Sequence, residues 1–99
     1  MRLVQRNYRL ARGPSARGGE IDLIVRDRDG TLVFVEVRHR ADAGHGGAAA
    51  TVDWRKQERI VRAAQHYVMR QTSGAVACRF DVVAIDGDEL TWIAGAFSA

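Results

Sequence analysis

Gly19-Glu20-Ile21-Asp22-Leu23-Ile24-Val25-Arg26-Asp27-Arg28-Asp29-Gly30-Thr31-Leu32-Val33-Phe34-Val35-Glu36-Val37-Arg38 is the stretch that decides how this chain folds. Two β-branched, alternating segments, 20–26 and 31–38, flank Asp29-Gly30, which is the pattern of a β-hairpin. Loop length sets the register, and register sets which side chains share a face. A two-residue turn at Asp29-Gly30 pairs Arg28 with Thr31 and puts Asp22 opposite Val37, with the acidic residues split between faces. A three-residue loop Arg28-Asp29-Gly30, with Gly30 taking the positive φ of a G1 bulge, pairs Asp27 with Thr31. Asp22 then lies opposite Glu36, and Glu20 opposite Arg38. The second register is expected, because it gathers Ile21, Leu23, Val25, Val33, Val35 and Val37 into one apolar face.

Outward from the hairpin, Asn7-Tyr8-Arg9-Leu10 reads as a preceding strand, and the stretch around Pro14, from Ala11 to Gly19, as a loop. From His39 to Ala50 the chain is Gly/Ala-rich without periodicity, so a mobile loop is expected. Thr51 or Asp53 can cap a helix running to about Gln71, with Ile60, Val61, Ala64, Tyr67 and Val68 as its apolar stripe and Ser73-Gly74 as its stop. Arg79 to Ile85 reads as a strand, Asp86-Gly87-Asp88 as a turn and Glu89 to Ile93 as a last strand. The order β-β-β-α-β-β predicts a mixed sheet carrying a helix, in the α/β or α+β class.

The 99 residues have room for one core and one domain. With 46% hydrophobic and 27% charged residues, the composition excludes a disordered or collagen-like chain. No apolar run approaches the roughly 20 residues of a membrane span, and Met1-Arg2-Leu3-Val4-Gln5-Arg6 lacks the apolar stretch of a signal peptide, so a cytoplasmic location is expected. Cys78 is the single cysteine, which leaves no intramolecular disulfide. A net charge of +3 hints at a polyanionic partner. Fourteen of the fifteen basic residues are Arg, so a given Arg says little, whereas the single lysine, Lys56, invites a question.

In the expected register Asp22 and Glu36 carry carboxylates on adjacent strands, which repel unless a cation or a proton lies between them. Hard divalent ions supply that charge: Mg²⁺ is commonly held by one or two carboxylates while it keeps waters and binds phosphate, and it can activate water for phosphodiester hydrolysis. Arg38, two residues from Glu36 on the same face, can steady the phosphate; its alternative is a cross-strand ion pair with Glu20. Arg55, Arg59, Arg62 and Arg70 recur at helical spacing opposite the apolar stripe and form a basic face able to follow a phosphate backbone. Lys56 lies one turn before Ile60 and can reach the carboxylates from the helix start. His39 and His45 flank the Gly-rich loop, but with no cysteine nearby and no i, i+4 pair they do not make a zinc site. Trp54, Trp92, Tyr67, Phe80 and Phe97 read as core, with a base-stacking role as the alternative for Trp54. Asp81 reads as a structural partner for a buried Arg.

Four blocks together resemble a known family. Gly19-Glu20-Ile21-Asp22-Leu23-Ile24, Val33-Phe34-Val35-Glu36-Val37-Arg38, Arg55-Lys56-Gln57 and Arg79-Phe80-Asp81-Val82-Val83 look like the YraN-type family of small bacterial proteins, over about residues 5 to 97. The resemblance implies the restriction-endonuclease-like PD-(D/E)XK fold, similar to archaeal Holliday junction resolvases. It makes Asp22 the metal-binding Asp and Glu36 the acidic residue of the ExK half-motif, with Mg²⁺ or Mn²⁺ as cofactor. Two departures stand out. Arg38 occupies the motif Lys position, and Arg cannot give up its proton; the family's usual first helix, which brings one more acidic residue, precedes the strand at which this chain begins. The expected function is a metal-dependent endonuclease hydrolysing phosphodiester bonds in DNA or structured nucleic acid, with Asp22, Glu36, Arg38 and Lys56 catalytic and Arg55, Arg59 and Arg62 binding the backbone. DNA is expected ahead of RNA, with no membrane partner and a homodimer allowed. The alternatives are a non-catalytic nucleic-acid-binding module that keeps the nuclease fold, and a protein-interaction domain that uses the sheet.

Overall fold

The computed structural model describes residues 1–10, 18–39 and 52–99. The loop expected around Pro14 and most of the Gly/Ala-rich loop, with His45 and Thr51, lie outside the described residues. Strands β1 (Arg2–Leu10), β2 (Gly19–Arg26) and β3 (Leu32–His39) are followed by helix α1 (Trp54–Gln71), then β4 (Cys78–Asp86) and β5 (Glu89–Phe97). The five strands form one sheet in the order β1-β2-β3-β4-β5. β3 and β4 are parallel, as a crossover through a helix requires, and the other neighbours are antiparallel. The fold is therefore mixed α/β, in the expected order; β1 and β5 run longer than their apolar alternation alone predicts.

The hairpin has the bulged register. Leu23 pairs with Val35, Val25 with Val33 and Arg26 with Leu32. Gly30 has φ +91°, the Asp27 amide donates to the Thr31 carbonyl at 2.9 Å, and Asp29 Oδ1 accepts from the Thr31 amide at 3.0 Å. Only glycine takes that backbone angle without strain, so the loop is built into the sequence.

The faces of the sheet differ from expectation. Val25, Val33, Val35 and Val83, backed by Leu23, Val37 and Ile85, do form one apolar face. The helix packs on the other one, against Ile24, Leu32, Phe34, Phe80 and Val82, through Ile60, Ala63, Ala64 and Tyr67. Ile21 joins this helix-side core although it lies three residues from Ile24, so the strand alternation breaks at Asp22. Both faces of β2 and β3 are apolar because β3 is flanked by strands and buried on both sides. An aromatic series ties the helix-side layer together: Tyr8 meets Tyr67 edge-on at 5.3 Å between centroids, and Phe34, Phe80 and Phe97 stack in turn at 5.6 and 5.1 Å.

Asp53 caps α1, its Oδ1 accepting the Lys56 amide at 2.9 Å, and Gln57 Nε2 donates to the Val52 carbonyl at 2.8 Å. At the other end Thr72 leaves the helix, its hydroxyl donating to the Val68 carbonyl at 2.7 Å. Gly19 lets the helix approach β2: a Cβ there would stand 2.6 Å from the Arg59 carbonyl oxygen and 3.3 Å from Ala63 Cβ. No described helix is long and apolar enough to cross a membrane.

Two tryptophans are not core residues. Trp54 is 66% exposed and Trp92 41% exposed. Trp54 is the first residue of α1, while Trp92 lies on edge strand β5 over the buried Asp81, donating its indole N–H to Asp81 Oδ2 at 2.6 Å. Asp81 also accepts from Arg79 Nε at 3.0 Å and the Gly95 amide at 3.0 Å. It does partner an Arg, but Arg79 is only partly buried rather than the buried Arg expected.

Candidate functional site

The helix-side end of the β2–β3 hairpin brings the predicted carboxylates together. Ladder pairing between β2 and β3 stops at Leu23–Val35, and carrying that register one step outward sets Asp22 opposite Glu36. There the Val37 amide donates to Asp22 Oδ2 at 2.8 Å instead of to a strand carbonyl. On the other side of β2, Asn7 sits at the level of Asp22, between the Arg6–Leu23 and Tyr8–Ile21 pairs, with a left-handed φ of +53°. Asn tolerates that angle better than most residues. Both neighbours of β2 are therefore irregular at Asp22, as backbones often are where a side chain is held for a function.

Glu36 is 3% exposed, yet it is a carboxylate. Burial, reinforced by the negative charge of Asp22 and opposed by Lys56, pushes its pKa up to about 7. Two cations reach it: Lys56 Nζ lies 3.3 Å and Arg38 Nη1 3.7 Å from Glu36 Oε2. Lys56 arrives because Asp53 starts the helix three residues earlier and because Gly19 and Ala63 let α1 close on the sheet. The cross-strand pair with Glu20, the alternative role for Arg38, is not formed among the described residues. Glu20 pairs instead with Arg9 of β1 at 3.5 Å, since β1 extends along that edge of β2.

Beside this cluster a cleft of about 1270 Å³ opens between the β1–β2 end and the start of α1, lined among others by Arg9, Lys56, Arg55, Arg59 and Arg62. It gathers three of the four Arg residues expected to form a basic helix face; Arg70 lies in the last turn, away from the cleft. No acidic residue occupies the first turn of α1, but the Asp53 cap carboxylate sits at the positive end of the helix dipole and lines the cleft together with Glu20, so part of the positive potential is offset. Glu58 offsets part of it through an i, i+4 pair with Arg62 at 4.0 Å.

Two elements of the site escaped the sequence reading. Arg9 lines the cleft only because β1 runs antiparallel to β2, and the left-handed Asn7 beside Asp22 has no local composition signal beyond being Asn. The close approach at Gly19 had a signal, the Gly18-Gly19 pair before an apolar strand.

As a metal centre, the described residues contain no group of three or more His, Cys, Asp or Glu side chains. A site saturated by protein ligands does not fit. A paired carboxylate set, with one member's pKa raised to about 7 by burial and by the neighbouring carboxylate, fits an ion that takes one or two carboxylates and fills its remaining positions with water and substrate oxygens.

Comparison with other proteins agrees along the chain. The family model described as Uncharacterised protein family UPF0102 matches residues 1–85. A UPF0102 protein of Methylibium petroleiphilum is 66% identical over 99 residues, covering 100% of this chain and 80% of that protein. One from an Acidovorax species is 57% identical over 97 residues, covering 98% of this chain and 70% of its own. A Burkholderia pseudomallei relative is 57% identical over 90 residues, which is 91% of this chain and 62% of that protein. With identity of this order over its whole length, the chain belongs to the UPF0102 family.

Proposed function

We propose that this chain is a divalent-metal-dependent endonuclease of the PD-(D/E)XK type, hydrolysing phosphodiester bonds in DNA or structured nucleic acid. The observation that carries the reading is the meeting of Asp22, Glu36 and Lys56, with Lys56 also lining an Arg-rich cleft. Asp22 and Glu36 would hold Mg²⁺ or Mn²⁺, which when bound supplies a Lewis acid and an activated water for attack at phosphorus. Lys56 takes the part that Arg38 cannot: an ammonium exchanges its proton, whereas a guanidinium stays charged. Arg38 stabilises negative charge developing on the phosphate. Arg55, Arg59 and Arg62 hold the backbone along the cleft, a contact whose strength falls steeply with salt as counterions are released.

A second reading, a non-catalytic nucleic-acid-binding module, has its own observation. Lys56 and Arg38 already stand within ion-pair distance of Glu36 without any metal. A cleavage assay with Mg²⁺ and Mn²⁺ on branched, single-stranded and duplex DNA separates the two, run beside manganese titration calorimetry. The nuclease reading expects metal-dependent nicking that is lost in Asp22→Asn and Glu36→Gln. Salt-sensitive binding without ion uptake, even at millimolar manganese, selects the module. Binding unaffected by salt or by neutralising Arg55, Arg59 and Arg62 together rejects both.

A further inference from the structure

We propose that Trp54 is a stacking platform for an unpaired base, so that the basic cleft takes a single-stranded segment of nucleic acid; this deepens the reading above and rests on the cleft being a nucleic-acid site. Three observations meet at Trp54. It is 66% exposed at the first turn of α1, where a large aromatic ring contributes nothing to the core. It lines the cleft together with Arg55, Lys56 and Arg59. The Arg55 guanidinium lies over the ring, 5.3 Å from its centroid, leaving most of the indole in solvent.

A solvent-exposed indole beside cations is the chemistry of single-strand recognition. A base offers a π face at every position and its phosphate offers a charge, so an aromatic plus Arg pair binds a nucleotide without reading its identity. Paired bases in an intact duplex keep their faces stacked on one another and cannot use such a ring. The cleft is an open groove lined by β1, β2 and the first turns of α1, a shape that suits an extended chain of nucleotides better than one compact ligand. Lys56 lines the cleft and also ion-pairs with Glu36, so a strand held at Trp54 lies along the approach to the carboxylate pair.

The test is fluorescence anisotropy at low salt with labelled oligothymidylate, the same backbone carrying abasic sites, and a duplex of equal length. Trp54→Ala should weaken oligothymidylate binding about 5- to 150-fold, the range for one stacked base, and leave the abasic strand and the duplex unchanged. Trp54→Phe should restore most of the loss. Because the side chain is exposed, both variants should melt with the wild type, and the abasic control does not depend on any variant. Equal losses on all three probes, no loss, or abasic and intact strands binding the wild type alike would overturn the proposal. Trp54-dependent binding without metal-dependent cleavage upholds it while the nuclease reading falls. Absence of nucleic-acid binding overturns both.

Discussion

Lys56 Nζ stands 3.3 Å from Glu36 Oε2, so the only lysine of the chain, on the helix, is spent on the buried carboxylate of the central hairpin. Even so, Lys56 does not restore an ordinary acidity to Glu36. Burial and the neighbouring Asp22 outweigh it, and the pKa rises from 4.5 to about 7.

Stability should therefore depend on pH through Glu36. Below pH 4.5 the carboxyl is protonated in both states and the native contribution is complete. As pH rises toward 7 the unfolded chain loses its proton while the native chain must keep it or hold a buried charge, so stability falls, by an amount on the order of 3 kcal/mol, and levels off above about pH 7. Urea unfolding of metal-free wild type and Glu36→Gln should show Gln gaining relative to Glu across this window. A difference between them that does not change with pH would count against a raised native pKa.

Ion binding should follow the same proton. Manganese binding requires Glu36 ionised, so affinity should rise with pH up to about 7 and each binding event should release protons, visible as a dependence of calorimetric enthalpy on buffer. Asp22→Asn and Glu36→Gln should each remove measurable binding. Binding that survives both substitutions would place the ion elsewhere.

The two cations at Glu36 should separate by chemistry. Lys56→Met should lower metal-dependent cleavage by about 10²- to 10⁴-fold, the scale for one group that transfers a proton, with little change in DNA affinity. Arg38→Lys should raise cleavage, because a second exchangeable ammonium then stands two residues from Glu36 on the same strand face. If Lys56→Met nicks DNA like the wild type, the proton-transfer role assigned to Lys56 is wrong.

Gly19→Ala tests how the helix reaches the site. The new methyl would meet the Arg59 carbonyl at 2.6 Å, which backbone cannot give way to cheaply. A loss of about 1–3 kcal/mol is expected in thermal or urea unfolding, with lower metal-dependent cleavage as α1 and Lys56 shift outward. An unchanged melting temperature would mean that α1 can ride away from β2 freely.

Asp81→Ala should be costly and yet leave the site alone. Asp81 is fully buried on the face of the sheet opposite α1 and accepts from Arg79, Trp92 and the Gly95 amide. Removing it leaves those donors without their acceptor, at about 2–3 kcal/mol. Manganese affinity should stay at the wild-type value, and a parallel loss would show the two faces to be coupled.

What the sequence alone determined about this protein is what short-range rules govern. Gly30 and the alternation around it specify the bulged hairpin and hence the Asp22–Glu36 pairing, Asp53 specifies the helix start, and the strand–helix order specifies a mixed sheet. These depend on residues within a few positions of one another. What only the tertiary structure decided is everything that required choosing between equivalent partners. Both faces of β2 and β3 are apolar, so alternation could not say which one receives α1. The length of β1 gives Glu20 to Arg9 rather than to Arg38. Trp54 stays largely in solvent at the first turn of α1, although its aromatic ring reads as core from the sequence. Lys56 meets Glu36 because a glycine on β2 and an alanine on α1 allow close packing between segments distant in the chain. Such contacts are selected by the burial of the whole core, a property of the assembled fold rather than of any stretch of sequence.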